Sequence, residues 1–407
     1  MIRTISFTEV SALISRKTSR LKEAERVVAP MLEAVRERGD AALLEYARKF
    51  DRLEGSEVRV AASGTLRPDL HKAVSMAAEN IRDYARQQLP CERMTESPDG
   101  RRLGQIVRPM DSAGVYIPAG RFPLISTLLM TVIPAQVAGV EKICVACPRP
   151  VAEILGVTAW LGVPDLYRMG GAQAIAALAF GTETVPKVDC IVGPGNIYVA
   201  AAKKLIAGEV AIDFIAGPTE IVIIAAEGDA RWIAADMLAQ AEHDVDASSI
   251  LLTTSRKLAE EVSREIERQI ETLPTAAVAR PSIDANGAIV VVDSLDRAVE
   301  ISNTLAPEHL SLHHPELLEG IVHAGSVFLG PWSTEAAGDY ASGPNHVLPT
   351  SGAARLYGGL SAADFVKVIS VQELNQAALR KLAPAVTTLA RAEGLEAHAR
   401  SVEVRCA

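Results

Sequence analysis

At roughly 100–200 residues per domain, 407 residues suggest about two to four cooperating domains, and 49% hydrophobic with 22% charged residues is the balance of a compact globular chain rather than a disordered or fibrous one. The 41 basic and 50 acidic residues give a net charge of −9 and are interspersed, so no Lys/Arg block exists to neutralise a run of phosphates and nucleic acid is not an expected partner. With 7 Phe, 7 Tyr and 3 Trp there are too few aromatics for a base-stacking or carbohydrate-binding surface, and small aliphatic side chains must fill the interior.

The chain starts Met-Ile-Arg-Thr-Ile-Ser-Phe-Thr-Glu, with no continuous apolar stretch after its single Arg, so no secretory signal is expected. From Arg20 to Phe50, apolar residues recur at three- and four-residue spacing through Ala24, Val27, Val28, Met31, Leu32 and Val35. Gly39-Asp40 separates a second helix carrying Leu43, Leu44 and Tyr46. A further helical stretch runs near Leu70 to Gln88. The polar segment Glu92 to Arg102, with Pro98-Asp99-Gly100, reads as a turn between strands or a domain edge. The stretch Phe122 to Val140 is the most membrane-like, but Pro123, Pro134, Gln136 and several hydroxyls interrupt it, so it is expected to be buried core.

The middle of the chain alternates short β-rich runs (Gly114 to Ile117, Ile143 to Ala146, Cys190 to Val192, Glu220 to Ala225) with helix-like ones (Leu124 to Val140, Ala172 to Phe180, Ile197 to Leu205). That alternation predicts an α/β fold with a largely parallel sheet. A second α/β unit follows: helix Ala230 to Glu242, strand Ser249 to Thr253, helix Arg256 to Glu271 and strand Ala288 to Val292. The chain is expected to be helical from Ala362 to Glu393.

Cys91, Cys144, Cys147, Cys190 and Cys406 are an odd, sparse set unsuited to a disulfide framework, which favours a reducing, cytoplasmic setting. Cys144 and Cys147 have redox or metal spacing, yet they lie in an apolar run without a second pair and are read as buried strand cysteines.

Gly- and Pro-rich turns recur where strands should end: at Ile117 to Gly120, Met169 to Gln173, Gly193 to Asn196, Ala216 to Glu220 and Gly343 to His346. At the carboxyl ends of open-sheet strands, glycines let backbone amides approach phosphate or ribose closely, although none of these turns spells G-x-G-x-x-G. Gln240 and His243, three apart on a predicted helix, point to one face and offer metal-ligand atoms. Asp339 and His398 are donors of suitable type elsewhere, and spacing alone leaves the metal and the structural readings both open. Glu308-His309 pairs a carboxyl with an imidazole; such a pair can relay two different protons, and it also arises by chance on loops.

These segments together resemble the histidinol dehydrogenase family. The resemblance runs in order through Val115 to Pro118, Phe122 to Met130, Gly170 to Glu183, Val192 to Asn196, Asp213 to Glu220, Gln240 to His243, Asn303 to Leu310 and Gly338 to Thr350, over nearly the whole chain. It implies a four-electron oxidation of L-histidinol through L-histidinaldehyde to L-histidine, with two NAD⁺ and one water consumed. By the same resemblance, NAD contacts fall at Tyr116, Gln173 and Asn196. Zinc, or alternatively manganese, falls at Gln240, His243, Asp339 and His398. Substrate contacts fall at Thr219, His309 and Glu393 and at the metal ligands, with His309 and Glu308 as the proton-transfer pair.

The resemblance further implies two Rossmann-like open-sheet domains, with small N-terminal and helical C-terminal arms exchanged in a homodimer, so that Glu393 and His398 act in trans. The expected boundaries are an arm at 1–15, a first α/β domain from 16–115 and 221–360, a second at 116–220 that carries the NAD contacts, and an arm at 361–407. Thr219 stands where many members have Ser, Ala119 replaces a Gly, and Arg121-Phe122 makes that loop bulkier. These departures keep two other readings in play: a related dehydrogenase of another small alcohol such as a sulfonated diol, and a metal-binding assembly protein without turnover.

Overall fold

The computed structural model describes residues 2–5, 17–118, 123–215 and 217–407. Ala119, Arg121-Phe122, Ala216 and most of the arm expected at 1–15 lie outside the described residues. In chain order the strands are β1 (Arg3–Thr4), β2 (Arg59–Ala61), β3 (Arg93–Glu96), β4 (Arg101–Pro109), β5 (Ser112–Tyr116), β6 (Lys142–Ala146), β7 (Asp165–Tyr167), β8 (Cys190–Val192), β9 (Ala211–Ile212), β10 (Glu220–Ile224), β11 (Ser248–Thr253), β12 (Ala288–Val291), β13 (His309–Leu312), β14 (Ser326–Leu329) and β15 (Val366–Leu374). The chain forms two compact units, Met1–Gln88 with Asp111–Phe365, and Leu89–Met110 with Val366–Ala407.

The larger unit is a mixed α/β structure built on two open sheets. One has the order β1-β12-β11-β10-β13-β14 and is parallel throughout. Its central runs, Ile221-Val222-Ile223-Ile224 and Ile250-Leu251-Leu252, are continuously apolar, as strands covered on both faces require. Helices Ala230–Ala241 and Arg256–Ile270 cover one face through Ile233, Met237, Val262 and Ile266. Helix Leu295–Leu305 covers the other through Ala298, Ile301 and Leu305.

The second sheet has the order β2-β7-β6-β5-β8-β9, parallel except for β2 at its edge. Helices Lys17–Arg38 and Asp40–Asp51 share a core with Gly171–Phe180 and Ile197–Ile206, where alanines at 174, 176, 177, 179, 201 and 202 are fully buried. Small side chains let these helices approach closely, which is how a chain poor in aromatics fills its interior. The path runs β5, β6, β7 outward and then returns to β8 on the far side of β5. The switch point of this topology therefore lies between the carboxyl ends of β5 and β8, the usual ligand position in an open sheet.

The membrane-like stretch forms helix Ile125–Ala138, buried from Thr127 to Ala135. It is shorter than the roughly 20 residues a bilayer span needs, and among the described residues no helix is long and apolar enough to cross a membrane. All five cysteines are free. Burial pushes the Cys144 and Cys147 thiols up to about 11 and Cys190 up to about 12, which suits inert core thiols.

The smaller unit is an antiparallel sheet, β15-β4-β3, with helices Gln376–Ala392 and Glu396–Cys406. Pro98-Asp99-Gly100 forms the turn of the β3–β4 hairpin, as its composition predicts, and Gly100 takes the positive φ of +85° that favours glycine. The continuous helix expected from Ala362 to Glu393 is corrected: a short 3₁₀ turn at Ala362–Phe365 leads into nine residues of strand, and the α-helix begins at Gln376. Val366, Val368, Ile369 and Val371 are β-branched, and the strand they open pairs at nine positions along β4.

Candidate active site

Two of the glycine-rich turns correct the expectation that all five follow strands. Gly217 to Thr219 leads into β10, and Gly343 to His346 follows the short helix Glu335–Tyr340. Consequently Thr219, Glu220, Glu308 and His309 gather at the amino ends of the paired strands β10 and β13, where Ile221 is in register with His309.

The Glu308 carboxylate is buried and accepts from the Thr219 hydroxyl at 2.5 Å and from the Glu220 N–H at 2.9 Å, both on Oε2. Burial pushes it up to about 7, against the downward pull of nearby His309 and of these two hydrogen bonds. His309 is 3% exposed. Its Nδ1 lies 3.2 Å from the Glu220 carbonyl oxygen, a contact that places the proton on Nδ1. Nε2 has no hydrogen-bond partner and lies 3.6 Å from Asp339 Oδ1. Burial alone would push the imidazole down, but Glu335, Glu308 and Asp339 surround it with negative charge and raise it to about 10.

Asp339 is fixed from behind. Its backbone carbonyl lies 2.8 Å from His346 Nδ1, and the other nitrogen of that ring lies 3.2 Å from the Thr127 hydroxyl. The carboxylate of Asp339 also lies 3.8 Å from His243 Nε2. Gln240, at the end of helix Ala230–Ala241, is fully buried, with its amide between the Thr219 hydroxyl at 2.5 Å and the Glu335 carboxylate. The amide fits best with its NH₂ donating to Glu335 at 2.9 Å and its oxygen accepting from Glu220 N–H at 3.1 Å, because the opposite orientation aims oxygen at oxygen.

Thus Thr219, Gln240, His243, Glu308, His309 and Asp339 converge in the larger unit. Glu335 joins them without having been picked out from the sequence. It is buried, and burial lifts its carboxyl up to about 8. The available signal was spacing: Glu335 and Asp339 are four apart on one helix, which puts both carboxylates on one face. His243, Glu335 and Asp339 can each offer one ligand atom with all three within 4.8 Å of one another. One imidazole and two carboxylates suit zinc or manganese, and the unpartnered His309 Nε2 faces the same group, so these residues fit a divalent cation. Glu393 caps helix Gln376–Ala392 and His398 lies on helix Glu396–Cys406; both are exposed and belong to the smaller unit.

The three positions expected to meet the dinucleotide follow β5, β7 and β8. Tyr116 ends β5; its hydroxyl accepts from Gly171 N–H at 3.1 Å, and burial pushes it up to about 12. Gln173 is buried in the first turn of helix Gly171–Phe180. Exposed Asn196 caps helix Ile197–Ile206, its side-chain oxygen accepting from the N–H groups of Tyr198 and Val199 at 3.0 and 3.2 Å.

An open parallel sheet with a topological switch point and, in the same unit, a buried carboxyl–imidazole pair with a cation-ready donor group are the parts an α/β dehydrogenase needs. The family model for histidinol dehydrogenase matches residues 14–406. A histidinol dehydrogenase of Bacillus anthracis is 48% identical over 94% of this chain and 92% of its own, and that of Geobacter sulfurreducens is 46% identical over 99% and 98%. The crystal structure of histidinol dehydrogenase from Elizabethkingia anophelis superposes with a TM-score of 0.89 at 38% identity, covering 93% of this chain and 91% of that one. The chain belongs to the histidinol dehydrogenase family, NAD-dependent oxidoreductases of histidine biosynthesis.

Proposed function

We propose that the chain carries out both oxidations at one site, from L-histidinol to L-histidinaldehyde and on to L-histidine. In the first step His309 Nε2 takes the hydroxyl proton while the carbinol carbon gives its hydride to NAD⁺. In the second, Glu308 takes a proton from water as its oxygen adds to the aldehyde carbonyl; the hydrate then loses its hydride to a second NAD⁺ and a proton to solvent. The observation that carries this reading is the placement of His309: Nδ1 is held by a backbone carbonyl, and Nε2 is buried without a hydrogen-bond partner and faces the cation-ready group, whose bound ion would offset the carboxylates that hold the proton on the ring.

Zinc is the metal we infer, held by Gln240, His243 and Asp339 with His398, and Glu335 lies within reach of the same ion. A bound zinc ion would supply positive charge that orients the substrate's amine and imidazole and offsets the carboxylates around His309. Thr219 and Glu393 would contact the substrate, and Tyr116, Gln173 and Asn196 the dinucleotide. Holding the aldehyde between the two steps keeps it from escaping and condensing with amines in solution.

We further infer a cytoplasmic homodimer in which Glu393 and His398 reach the partner's site. Large exposed apolar side chains support an uncovered interface: Trp332 in the larger unit, and Leu389 and Val404 on the C-terminal helices. The reaction is tested by counting NADH formed per L-histidinol, with and without chelator. Two equivalents and loss of turnover with chelator are expected; one equivalent means that the aldehyde step is absent.

A further inference from the structure

Asp51 is the last residue of helix Asp40–Asp51, and its side chain is almost sealed from solvent. One carboxylate oxygen, Oδ2, accepts two hydrogen bonds from a turn more than a hundred residues later: from Gly170 N–H at 2.9 Å and from Gln173 Nε2 at 3.0 Å. Gly170 is the N-cap of helix Gly171–Phe180 and has no side chain with which to cap it. Asp51 supplies that cap from outside, with its negative charge at the helix end that favours it.

The approach is close enough to dictate the neighbouring residue. A Cβ at Gly170 would lie 2.8 Å from Asp51 Oδ1 and 2.7 Å from Pro148 Cγ, so only glycine fits. The next residue, Gly171, has φ +58° and donates its N–H to the Tyr116 hydroxyl. Tyr116 and Gln173 therefore meet on one turn, and Asp51 holds that turn. With Nε2 committed to Asp51, the Gln173 carbonyl oxygen is turned toward Gly171, where an added Cβ would lie 3.0 Å from it. A buried carboxylate is costly unless hydrogen-bonded, and here both bonds go to the turn and helix start after β7 rather than to the helix that carries Asp51.

We propose that Asp51 is the positioning residue of the dinucleotide site: it fixes the Gln173 amide and the Gly170–Gly171 turn in the arrangement that the nicotinamide dinucleotide meets. The inference rests on Gln173 being a cofactor contact. Asp51→Asn keeps an oxygen that can accept both bonds, whereas Asp51→Ala removes them and leaves the Gln173 amide free to turn.

The test compares Asp51→Ala, Asp51→Asn, Gln173→Ala and the Asp51→Ala/Gln173→Ala pair in the full chain. NADH affinity is read by fluorescence titration, alongside the KM for NAD⁺ and for L-histidinol. Asp51→Ala and Gln173→Ala are each expected to weaken NADH binding about tenfold, the loss typical of one or two buried hydrogen bonds. The KM for L-histidinol stays unchanged, Asp51→Asn binds like the parent, and the double variant is no weaker than Gln173→Ala alone, as expected of residues acting through one group. Wild-type NADH affinity in Asp51→Ala, with Gln173→Ala weakened, overturns the proposal and leaves the Gln173 contact standing. Wild-type affinity in Gln173→Ala removes the contact itself, and the proposal with it. Equal damage to NADH and L-histidinol binding in Asp51→Ala also overturns it, because that is the mark of a general structural role. Where Asp51→Ala does not fold, Asp51→Glu, which moves the carboxylate by one methylene, takes its place with the same outcomes.

Discussion

The Lys203 ammonium lies 2.7 Å from the Asp213 carboxylate, with both side chains at most 3% exposed. The pair clamps the turn after β8: Lys203 also donates to the Gly193 carbonyl at 2.6 Å, while Asp213 accepts from the N–H groups of Gly193 and Phe214, each at 2.8 Å. That turn leads to Asn196, so the buried pair fixes the backbone that carries this proposed dinucleotide contact. Removing one partner strands the other charge in the core, which typically costs about 3–5 kcal/mol. Asp213→Ala is therefore expected to lose stability of that order in a denaturant titration. The double change Lys203→Met/Asp213→Leu should recover most of it, since no buried charge is then left alone. A loss below about 1 kcal/mol, the scale of a surface pair, would show that the ammonium escapes to water.

Glu335 is expected to govern cation retention. It stands with His243 and Asp339 and holds the Gln240 amide, and it has no Lys or Arg partner among the salt bridges of the described residues. Glu335→Gln removes the charge at nearly constant volume. Loss of a supporting residue around a metal typically costs about 10–100-fold in affinity, and that is the loss expected here. Metal content per chain after dialysis against graded chelator reads it without any turnover. Retention equal to the parent, with His243→Ala depleted in parallel, would show that Glu335 does not act on the ion.

How much of this was legible in the sequence depended on what each residue's neighbours do. The inner strands β10 and β11 are near-continuous β-branched and leucine runs, and only a doubly covered sheet accounts for them. Strand β13 is four residues long and begins at His309, so its opening looks like a proline-led loop carrying reactive groups; only its register with β10 reveals it as a strand. Glu335 was concealed by ordinary helix grammar. Thr334 caps the helix with its hydroxyl, and an acid in the first turn after such a cap is what any helix start displays. Asp51 likewise passes for a polar helix end, and its partners lie on a turn that no local pattern connects to it.

Glu308 is expected to control the second oxidation and its pH dependence. As a base it must be ionised. Burial lifts it up to about 7, so aldehyde oxidation should rise with pH through about 7 and level off above, while protonation below that point removes the base. Glu308→Gln cannot accept the proton, and general-base losses are typically about 10²–10⁴-fold. With L-histidinol as substrate, NADH per substrate should fall from two toward one as aldehyde accumulates, and the acid limb should vanish from the residual aldehyde rate. Equal damage to both half-reactions would assign Glu308 to the alcohol step as well.

The exchange of C-terminal helices can be tested by mixing two proteins that each fail to form L-histidine. If a site combines Glu308 of one subunit with His398 of the other, then in a mixed dimer of His398→Ala and Glu308→Gln chains one site carries both changes and the other carries neither. Random reassortment makes half of the dimers mixed, and each mixed dimer has one intact site of two, so activity should return to about a quarter of the parent, as a two-fold symmetric arrangement dictates. Were His398 to serve its own chain's site, every site in the mixture would carry one lesion and nothing would return. Mixing after mild denaturation and refolding, followed by L-histidine formation from L-histidinol, separates the two cases. The same mixture made with His243→Ala in place of Glu308→Gln should behave alike, because His243 shares its unit with Glu308.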